Sequence, residues 1–228
     1  MKLFFIICLL LQSICFANES EFFPLFSHIQ TDEFIVALTF DDGPHPLYTA
    51  EILDILNDYN VKATFFLVGY NVRLYDEIVL DIAGNHHDIG NHSYTHEAYS
   101  QMEDEDILID LARSQKLFKE TLGYYPRYFR PPFGRLKESQ ATLISPYFEK
   151  LVKWSLDPKD WEKGAKSGSI LVSILKDVKP GSIILLHSDK RETVKMLPSL
   201  LENLLHRGVQ FATISELITH EQGEDYGR

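Results

Sequence analysis

Short apolar runs alternate with segments of helical periodicity along this chain. Phe34–Phe40 is a continuous run of apolar, β-branched and aromatic residues, which is typical of a parallel strand buried on both faces. In Tyr48–Tyr59, isoleucines and leucines recur at helical spacing, and Ala63–Gly69 is a second apolar run. The order strand, helix, strand predicts a parallel α/β sheet.

The same alternation continues to the end of the chain. Further strands are predicted over His87–Asn91, Tyr128–Pro131, Leu151–Leu156, Ser182–His187 and Val209–Thr213. Further helices are predicted over Val72–Ala83, Ser100–Thr121, Ile170–Val178 and Leu200–Arg207. About seven strands with interleaved helices favour one closed or nearly closed parallel barrel over separate domains.

Capping residues predict where two of the helices begin and end. Ser100 and Glu103 have capping-box spacing and Gly123 follows the last periodic residue, so this long helix is predicted to end at the glycine. Pro198 and Gly208 bracket the last predicted helix in the usual order, with proline before and glycine after.

Composition and charge narrow the class of protein. The 228 residues are 45% hydrophobic and 24% charged, which suits one globular domain rather than a disordered chain. The net charge of −11 provides no basic surface to attract phosphates, so nucleic acid is excluded as an expected partner. We expect a monomer.

The N-terminus reads as a secretory signal peptide. Met1-Lys2 precedes the apolar run Leu3–Leu11, and the small residues Cys15 and Ala17 stand where a signal peptidase cuts. We therefore predict a signal peptide at 1–17, an N-terminal segment at 18–33, a catalytic domain at 34–220 and a tail at 221–228. The mature chain is expected to lack a membrane span and to be periplasmic or secreted; an uncleaved anchor is the alternative.

Polar side chains follow several of the predicted strands. Because active sites of parallel barrels form at the carboxyl ends of the strands, polar residues there are candidates for function. The candidates are Asp41-Asp42, His92 to His96, Asp157 to Asp160 and His187, with Arg130 inside a short strand.

Two histidines four residues apart suggest a metal site. On an extended strand His92 and His96 lie about 13 Å apart, whereas on a helical turn their β-carbons come within about 5–6 Å. A shared metal therefore predicts a helical turn after Asn91. Two imidazoles and one carboxylate leave coordination positions open, which suits a metal that activates water. A coincidental surface pair is the alternative, because the chain has nine histidines.

The remaining candidates each have a structural alternative. Asp41-Asp42 is either an ordinary turn signal or a metal ligand beside a general base, and the spacing leaves open which residue has which role. His187 is either a core histidine or a general acid. Trp161 is either core or pocket wall. The histidines predicted to lie in loops or on the surface are His45, His86, His87, His206 and His220.

Five strings in order resemble the polysaccharide deacetylases, the family with the NodB homology domain, also called carbohydrate esterase family four. The resemblance covers about Phe34 to Leu217. The strings are Thr39–Pro44, His92–His96, Arg130–Gly134, Asp157–Trp161 and Leu185–His187.

This resemblance implies a fold, a metal and two distinct roles for the paired aspartates. The fold is a distorted (β/α)7 TIM-like barrel in a single domain. The cofactor is one divalent metal ion, usually Zn²⁺, with Co²⁺ or Ni²⁺ in some members. Asp42, His92 and His96 match the metal ligands, and Asp41 matches the catalytic base.

The resemblance also implies the acid side of the site. His187 matches the catalytic histidine, Asp160 the carboxylate that tunes it, and Arg130 the arginine that fixes the second acidic motif. Phe133 stands where many members carry tyrosine, and the family uses this residue's backbone N–H toward the oxyanion. Substrate-binding positions are matched by Phe133, Trp161 and Leu185.

The implied reaction is hydrolysis of the N-acetyl group of N-acetylglucosamine in peptidoglycan, a chitin oligosaccharide or poly-N-acetylglucosamine. Three alternatives stay open at this point. The same site could cleave O-acetyl esters of xylan, or the chain could be a carbohydrate-binding protein that has lost catalysis. A glycosidase using Asp41 and Asp160 as its two carboxylates is the third, and it leaves the histidine pair without a role.

Overall fold

The computed structural model describes residues 25–223, so the predicted signal peptide at 1–17 lies outside the described residues. The strands are β1 (Ile35–Asp41), β2 (Thr64–Leu67), β3 (Asp88–Asn91), β4 (Tyr128–Phe129), β5 (Lys150–Leu151), β6 (Ile183–His187) and β7 (Gln210–Ala212). The α-helices are α1 (Tyr48–Asp58), α2 (Gly69–Leu74), α3 (Asp76–Gly84), α4 (Asp104–Leu122), α5 (Glu138–Ile144), α6 (Ser167–Asp177), α7 (Arg191–His206) and α8 (Ile214–Glu221). Short 3₁₀ turns occupy Tyr99–Gln101, Pro132–Gly134 and Ser145–Tyr147.

The seven strands form one parallel sheet that curls into a distorted barrel. The strand order is β5-β4-β3-β2-β1-β6, and β7 pairs with the beginning of β1. A bridge between Leu156 and Ile184 joins the segment after β5 to β6, and Leu185 N–H donates to the Leu156 carbonyl at 2.9 Å. This architecture confirms the single-domain (β/α) barrel predicted from the sequence.

The alternation of side chains along β1 separates the two faces of the sheet. Val36, Leu38 and Phe40 pack into the larger apolar cluster, which includes side chains of α1, α3, α6 and α7. Ala37 packs in the smaller interior cluster. Asp41, in the same alternation as Ala37, therefore ends the strand with its side chain inside the barrel.

The carboxyl ends of the strands lie at one level. Asp41 pairs with His187 across β1 and β6, and Asn91 pairs with Leu67 on one side and Phe129 on the other. The polar residues that follow these strands therefore meet at the same edge, as expected for a parallel barrel.

Three predicted helices differ from those observed. The Val72–Ala83 helix is two helices, α2 and α3, separated at Tyr75. The long helix begins at Asp104 without a side-chain cap, and it ends as predicted at Gly123, whose φ is 81°. Helix α7 runs through Pro198, because an apolar face buried along its whole length stabilises it despite the one hydrogen bond that proline cannot donate.

Two helices and one buried histidine were missed or misplaced. Helix α5 was not predicted, and neither was α8, although Thr213 and Glu216 form a capping box at its start. His87 was predicted to lie in a loop or at the surface; it lies in the loop before β3, but it is not at the surface. Its ring is buried, Nδ1 accepts a hydrogen bond from Ala63 N–H at 3.1 Å, and burial lowers its pKa to about 4.

The predicted strand Leu151–Leu156 is reduced to the end of β5 and two isolated bridges, from Val152 to Phe26 and from Leu156 to Ile184. Between residues 25 and 223, none of the helices combines the length and apolar character needed to cross a bilayer.

Candidate metal and acid–base site

The two adjacent aspartates at the end of β1 have different surroundings. Asp41 is buried, and its Oδ1 accepts a hydrogen bond from Arg130 Nη1 at 2.7 Å. Asp42 leaves the strand with a left-handed φ of 69°, which turns its carboxylate toward two histidines. Backbone conformation thus separates two residues that the sequence places side by side.

Arg130 hydrogen-bonds to three groups at the bottom of the site. Its fully buried guanidinium donates to Asp41, to Thr39 Oγ1 at 2.8 Å and to the Lys153 carbonyl at 2.8 Å. It lies 4.0 Å from the centroid of the Phe66 ring. Arg130 therefore fixes the position of the Asp41 carboxylate.

The two histidines meet through a bend rather than a helix. Residues 92–96 contain no helical turn; Ser93 and His96 have φ values of 67° and 61°. Ser93 Oγ accepts the His96 N–H at 2.9 Å, and the His92 and His96 ring centroids lie 5.0 Å apart. The predicted proximity is confirmed, and the predicted helical turn is wrong because two left-handed residues shorten the segment instead.

A buried carboxylate from α4 holds this bend. Asp110 Oδ1 accepts the Tyr94 N–H at 2.8 Å and the Tyr99 hydroxyl at 2.7 Å. Its Oδ2 accepts the N–H and the hydroxyl of Thr95, at 2.9 and 2.8 Å. The sequence analysis missed Asp110. Its position could have indicated a structural role, because Asp110 is a charged residue on the apolar face of a helix, beside Ile107 and Leu111.

Asp42, His92 and His96 fit a divalent metal ion. One ligand atom from each lies within 4.8 Å of the others. Asp42 Oδ1 is buried and has no hydrogen bond within the described residues, although the Nε2 atoms of His96 and His92 lie 3.0 and 3.5 Å away. An unpartnered carboxylate oxygen facing two imidazole nitrogens suits a shared cation.

The protonation of these groups also fits a metal. His92 Nδ1 lies 2.6 Å from the Arg130 carbonyl, so it donates there and Nε2 keeps its lone pair. Burial lowers the pKa of His92, which favours the neutral ligand form. Burial would raise the pKa of Asp42, but the neighbouring histidines lower it well below its usual value.

His187 and Asp160 form an acid pair beside this triad. Asp160 Oδ1 lies 2.7 Å from His187 Nδ1, and Oδ2 accepts the His187 N–H at 2.8 Å and the Thr193 hydroxyl at 2.6 Å. Burial alone lowers the pKa of His187, but the Asp160 hydrogen bond and the nearby carboxylates raise it to about 9. At neutral pH His187 is protonated, with Nε2 4.0 Å from Asp42 Oδ2.

An open cleft of about 340 Å³ lies above these groups. Its lining residues from the sequence analysis are Asp41, Asp42, His92, His96, Phe133, Trp161, Leu185 and His187. The other two predicted residues, Arg130 and Asp160, lie behind it and hydrogen-bond to Asp41 and His187. The structure thus brings all the predicted residues together, while their catalytic roles stay predictions.

Aromatic and polar side chains form the walls of the cleft. The Phe133 ring packs against His96 with centroids 4.7 Å apart, and Phe133 has a left-handed φ of 59°. Trp161 is half exposed, and its indole N–H donates to Asp157 at 3.3 Å. The cleft is also lined by Arg135 and Trp154, which the sequence analysis did not single out, and by Asp157, which it placed at a strand end without giving it a role.

The chain was compared with known protein families and curated proteins. The family model described as polysaccharide deacetylase matches residues 28–145. Two peptidoglycan-N-acetylglucosamine deacetylases of Bacillus cereus are 36% and 35% identical, over 80% and 85% of this chain and 67% and 92% of their own lengths. A Bacillus subtilis peptidoglycan-N-acetylmuramic acid deacetylase is 30% identical over 83% of this chain and 40% of its own length.

Solved structures share the fold. A crystal structure of a peptidoglycan N-acetylglucosamine deacetylase superposes with a TM-score of 0.80 at 34% identity, covering 85% of this chain and 92% of that one. A pseudoenzyme of the same carbohydrate esterase family, from Bacillus anthracis, gives 0.79 at 26% identity, covering 84% and 68%. With the fold, the grouped motifs and these relatives in agreement, the chain belongs to the polysaccharide deacetylase family.

Proposed function

We propose that this protein is a divalent-metal-dependent deacetylase that hydrolyses the N-acetyl group of N-acetylglucosamine in a cell-wall glycan, releasing acetate and a free amine. One observation carries the proposal: a carboxylate (Asp41) and an imidazole hydrogen-bonded to a second carboxylate (His187, to Asp160) flank the Asp42–His92–His96 triad in a single cleft. Amide hydrolysis needs this combination, because water must lose a proton and the amine must gain one.

The metal supplies one part of the chemistry. A divalent ion held by Asp42, His92 and His96 would polarise the acetyl carbonyl and lower the pKa of a bound water. Zinc suits two imidazoles and one carboxylate. We keep cobalt and nickel as alternatives.

The side chains of the protein move the protons. Asp41 Oδ1 is held by Arg130, which leaves Oδ2 to take a proton as the water oxygen bonds to the carbonyl carbon. His187 Nε2 then donates its proton to the amide nitrogen as the carbon–nitrogen bond breaks. Acetic acid and the neutral amine leave, and the acid loses its proton to solvent to give acetate. The proton on Asp41 returns through solvent to His187, which restores both groups. The Phe133 main-chain N–H is our proposed donor to the oxyanion, where such donors contribute about 3–4 kcal/mol.

The site argues against two of the alternatives. A glycosidase using Asp160 is disfavoured, because Asp160 is 3% exposed and hydrogen-bonds to His187 and Thr193 rather than facing the cleft. An inactive binding protein is disfavoured because no proposed base, acid or ligand position is substituted. The pseudoenzyme relative nevertheless makes activity a matter for measurement. An O-acetyl esterase uses the same groups and is separated only by product analysis.

Peptidoglycan is our first choice of substrate. The two Bacillus cereus relatives are named for this substrate and for its N-acetylglucosamine units. The Bacillus subtilis relative is named for N-acetylmuramic acid, the other sugar of the same polymer. Chitin oligosaccharides and poly-N-acetylglucosamine present the same acetamide without the lactyl group.

The test is acetate release by the purified protein from peptidoglycan, chitotetraose and acetylated xylan, with chelator and with zinc restored. We expect chelator-sensitive release from an N-acetylated glycan, and mass spectrometry of digested peptidoglycan should place the free amine on glucosamine. Release from xylan alone would point to the esterase. No release by a folded, zinc-loaded protein would contradict the deacetylase.

We also propose that the protein acts outside the cytoplasm, where peptidoglycan lies. The support is the apolar run and cleavage pattern at 1–17 in the sequence. Cell fractionation with N-terminal sequencing of the mature form tests this. Recovery of the full-length chain from the cytoplasm would contradict it.

A further inference from the structure

An arginine without an assigned role lines the catalytic cleft. Arg135 is exposed and directly follows the 3₁₀ turn Pro132–Gly134. Its guanidinium forms neither a hydrogen bond nor an ion pair with any residue between 25 and 223. The proposed reaction does not use it, because the base, the acid and the metal ligands carry out every step. A guanidinium that lines a substrate cleft without a protein partner is available to a group of the ligand.

The main chain that carries Arg135 is fixed. Arg135 N–H donates to the Pro132 carbonyl at 3.2 Å, which closes the turn. Gly134 has a φ of 62°, and a β-carbon there would lie 2.7 Å from Trp154 Cη2, so the indole packs directly against the turn. The Arg135 side chain therefore extends from a rigid base next to Phe133, whose main-chain N–H is the proposed oxyanion donor. A substrate group bound to Arg135 consequently lies close to the acetamide.

The neighbouring charges make this side of the cleft positive. A β-carbon on Gly134 would lie 3.2 Å from Lys153 Cε, so Lys153 is on the same side as Arg135, and it forms no ion pair within the described residues. Asp157 also lines the cleft, but its Oδ1 already accepts the Trp161 indole N–H at 3.3 Å. The base and the acid each pair with a charge of opposite sign. Two unpaired cations beside one carboxylate are a local exception on a chain whose net charge is −11.

We propose that Arg135 binds a carboxylate of the glycan, supplied either by the lactyl group of a neighbouring N-acetylmuramic acid or by the peptide stem attached to it. The planar guanidinium donates in parallel to both carboxylate oxygens, and Lys153 adds to the local positive charge. A neutral chitin chain has no such group, so this contact selects peptidoglycan. The inference rests on the proposed function, because it takes the substrate to be an N-acetylated glycan.

The kinetic test compares substrates that differ only in charge. They are a tetrasaccharide of alternating N-acetylglucosamine and N-acetylmuramic acid with free lactyl groups, and the same tetrasaccharide with peptide stems, each as carboxylate and as methyl ester. The readout is the ratio of kcat/KM for acetate release from the carboxylate form to that from its ester. For the zinc-loaded wild type we expect a ratio of about ten, the lower end for a hydrogen bond to a charged group.

Arg135→Gln keeps most of the side chain but removes its charge, so the ratio should fall to about one. Arg135→Lys keeps the charge without the paired donors, so it should retain part of the preference. The pair of substrates whose ratio responds identifies the source of the carboxylate, lactyl group or peptide stem. A wild-type ratio in Arg135→Gln for both pairs would overturn the inference, since losses that are equal on carboxylate and ester show only a structural role.

The matched control is Lys116→Gln, which also removes one positive charge. Lys116 is exposed on α4 and lines a different depression. We expect it to keep the wild-type ratio. A fall equal to that of Arg135→Gln would assign the preference to the overall charge of the protein and would also overturn the inference.

A binding measurement separates this inference from the reaction. Calorimetry of the carboxylate form against zinc-loaded Asp41→Asn should give about tenfold weaker binding when Arg135→Gln is added, and binding of the ester should not respond. If the wild type releases no acetate but binding of the carboxylate form still depends on Arg135, the proposed function fails and the carboxylate site stands. If acetate is released and neither the ratio nor the binding responds to Arg135→Gln, the carboxylate site fails alone.

Discussion

At the residue scale, Asp41 and Asp42 show how neighbours in sequence acquire different chemistry. The alternation of β1 sends Asp41 into the barrel, where Arg130 holds one of its oxygens. A left-handed φ turns Asp42 toward His92 and His96. Sequence spacing alone does not predict which aspartate faces the histidines, because this depends on the φ angle of Asp42 and on the position of Arg130, which comes from a distant part of the chain.

The separation of these roles predicts the effect of neutralising the buried carboxylate. Asp41→Asn should lower kcat by about 10²–10⁴-fold, the contribution of a positioned general base. Zinc content should stay at the wild-type level, because Asp42 Oδ1 and the two imidazoles are unchanged. Metal analysis of the purified variant checks this. His92→Ala is the contrasting control and should lose zinc; a fully loaded His92→Ala protein would disprove the ligand assignment.

The His187–Asp160 pair predicts a pH dependence. His187 must be protonated to act as an acid, and its pKa is about 9, so kcat should fall as pH rises through that value. Asp160→Asn removes the carboxylate that raises this pKa most, whereas the burial that lowers it remains. The alkaline limb of the kcat profile should therefore move to lower pH. An unmoved limb would show that another group titrates there.

The same shift has a consequence for stability. Because the pKa of His187 is raised in the folded state, the resulting stabilisation is complete below the ordinary value near 6.5 and disappears as pH rises to about 9. Urea unfolding of the metal-free protein at pH 6 and pH 9.5 should show a larger loss of unfolding free energy in the wild type than in Asp160→Asn.

At the element scale, hydrophobic periodicity located the strands, because their buried runs are short and sharply bounded. Two predictions that rested on other signals were wrong. The spacing of His92 and His96 predicted a helical turn, but the left-handed Ser93 and His96 bring the two rings together in a bend. Pro198 was taken to precede the last predicted helix, but α7 runs through it because its apolar face is buried throughout. Thr213 and Glu216 have the spacing of a capping box in the sequence, so the start of α8 could have been predicted from them.

The histidine bend depends on a helix that supplies no ligand. Asp110 accepts four hydrogen bonds from Tyr94, Thr95 and Tyr99. In Asp110→Asn an amide N–H₂ faces some of these donors, so the bend should loosen and zinc affinity should fall about 10–100-fold. Calorimetric zinc titration measures this.

Asp106→Asn, an exposed change on the first turn of the same helix, is the matched control and should retain wild-type affinity. Equal affinities in the two variants would exclude Asp110 as a support of the metal site.

At the scale of the whole molecule, the metal ligands come from separate parts of the chain and meet only in the folded barrel. A zinc ion held by these three residues would therefore bind the folded state in preference to the unfolded one. At a hundredfold excess over the dissociation constant this adds about 2.7 kcal/mol, which for this size raises the melting temperature by roughly 5–10 °C. Chelator should reverse the shift, and His92→Ala should show none. A zinc-independent melting temperature in the wild type would rule out tight binding.

Strand β1 contacts β2 on one side and β6 on the other, and these partners are far apart in the sequence. The base, the ligands and Arg130 all precede β6, whereas the acid is its last residue. Pairings between distant segments are slow to form. We therefore predict that a refolding chain binds zinc before it hydrolyses substrate, because turnover needs His187 and so has to wait until β6 pairs with β1. In a refolding experiment, we therefore expect zinc binding to be regained early and catalytic activity to be regained late.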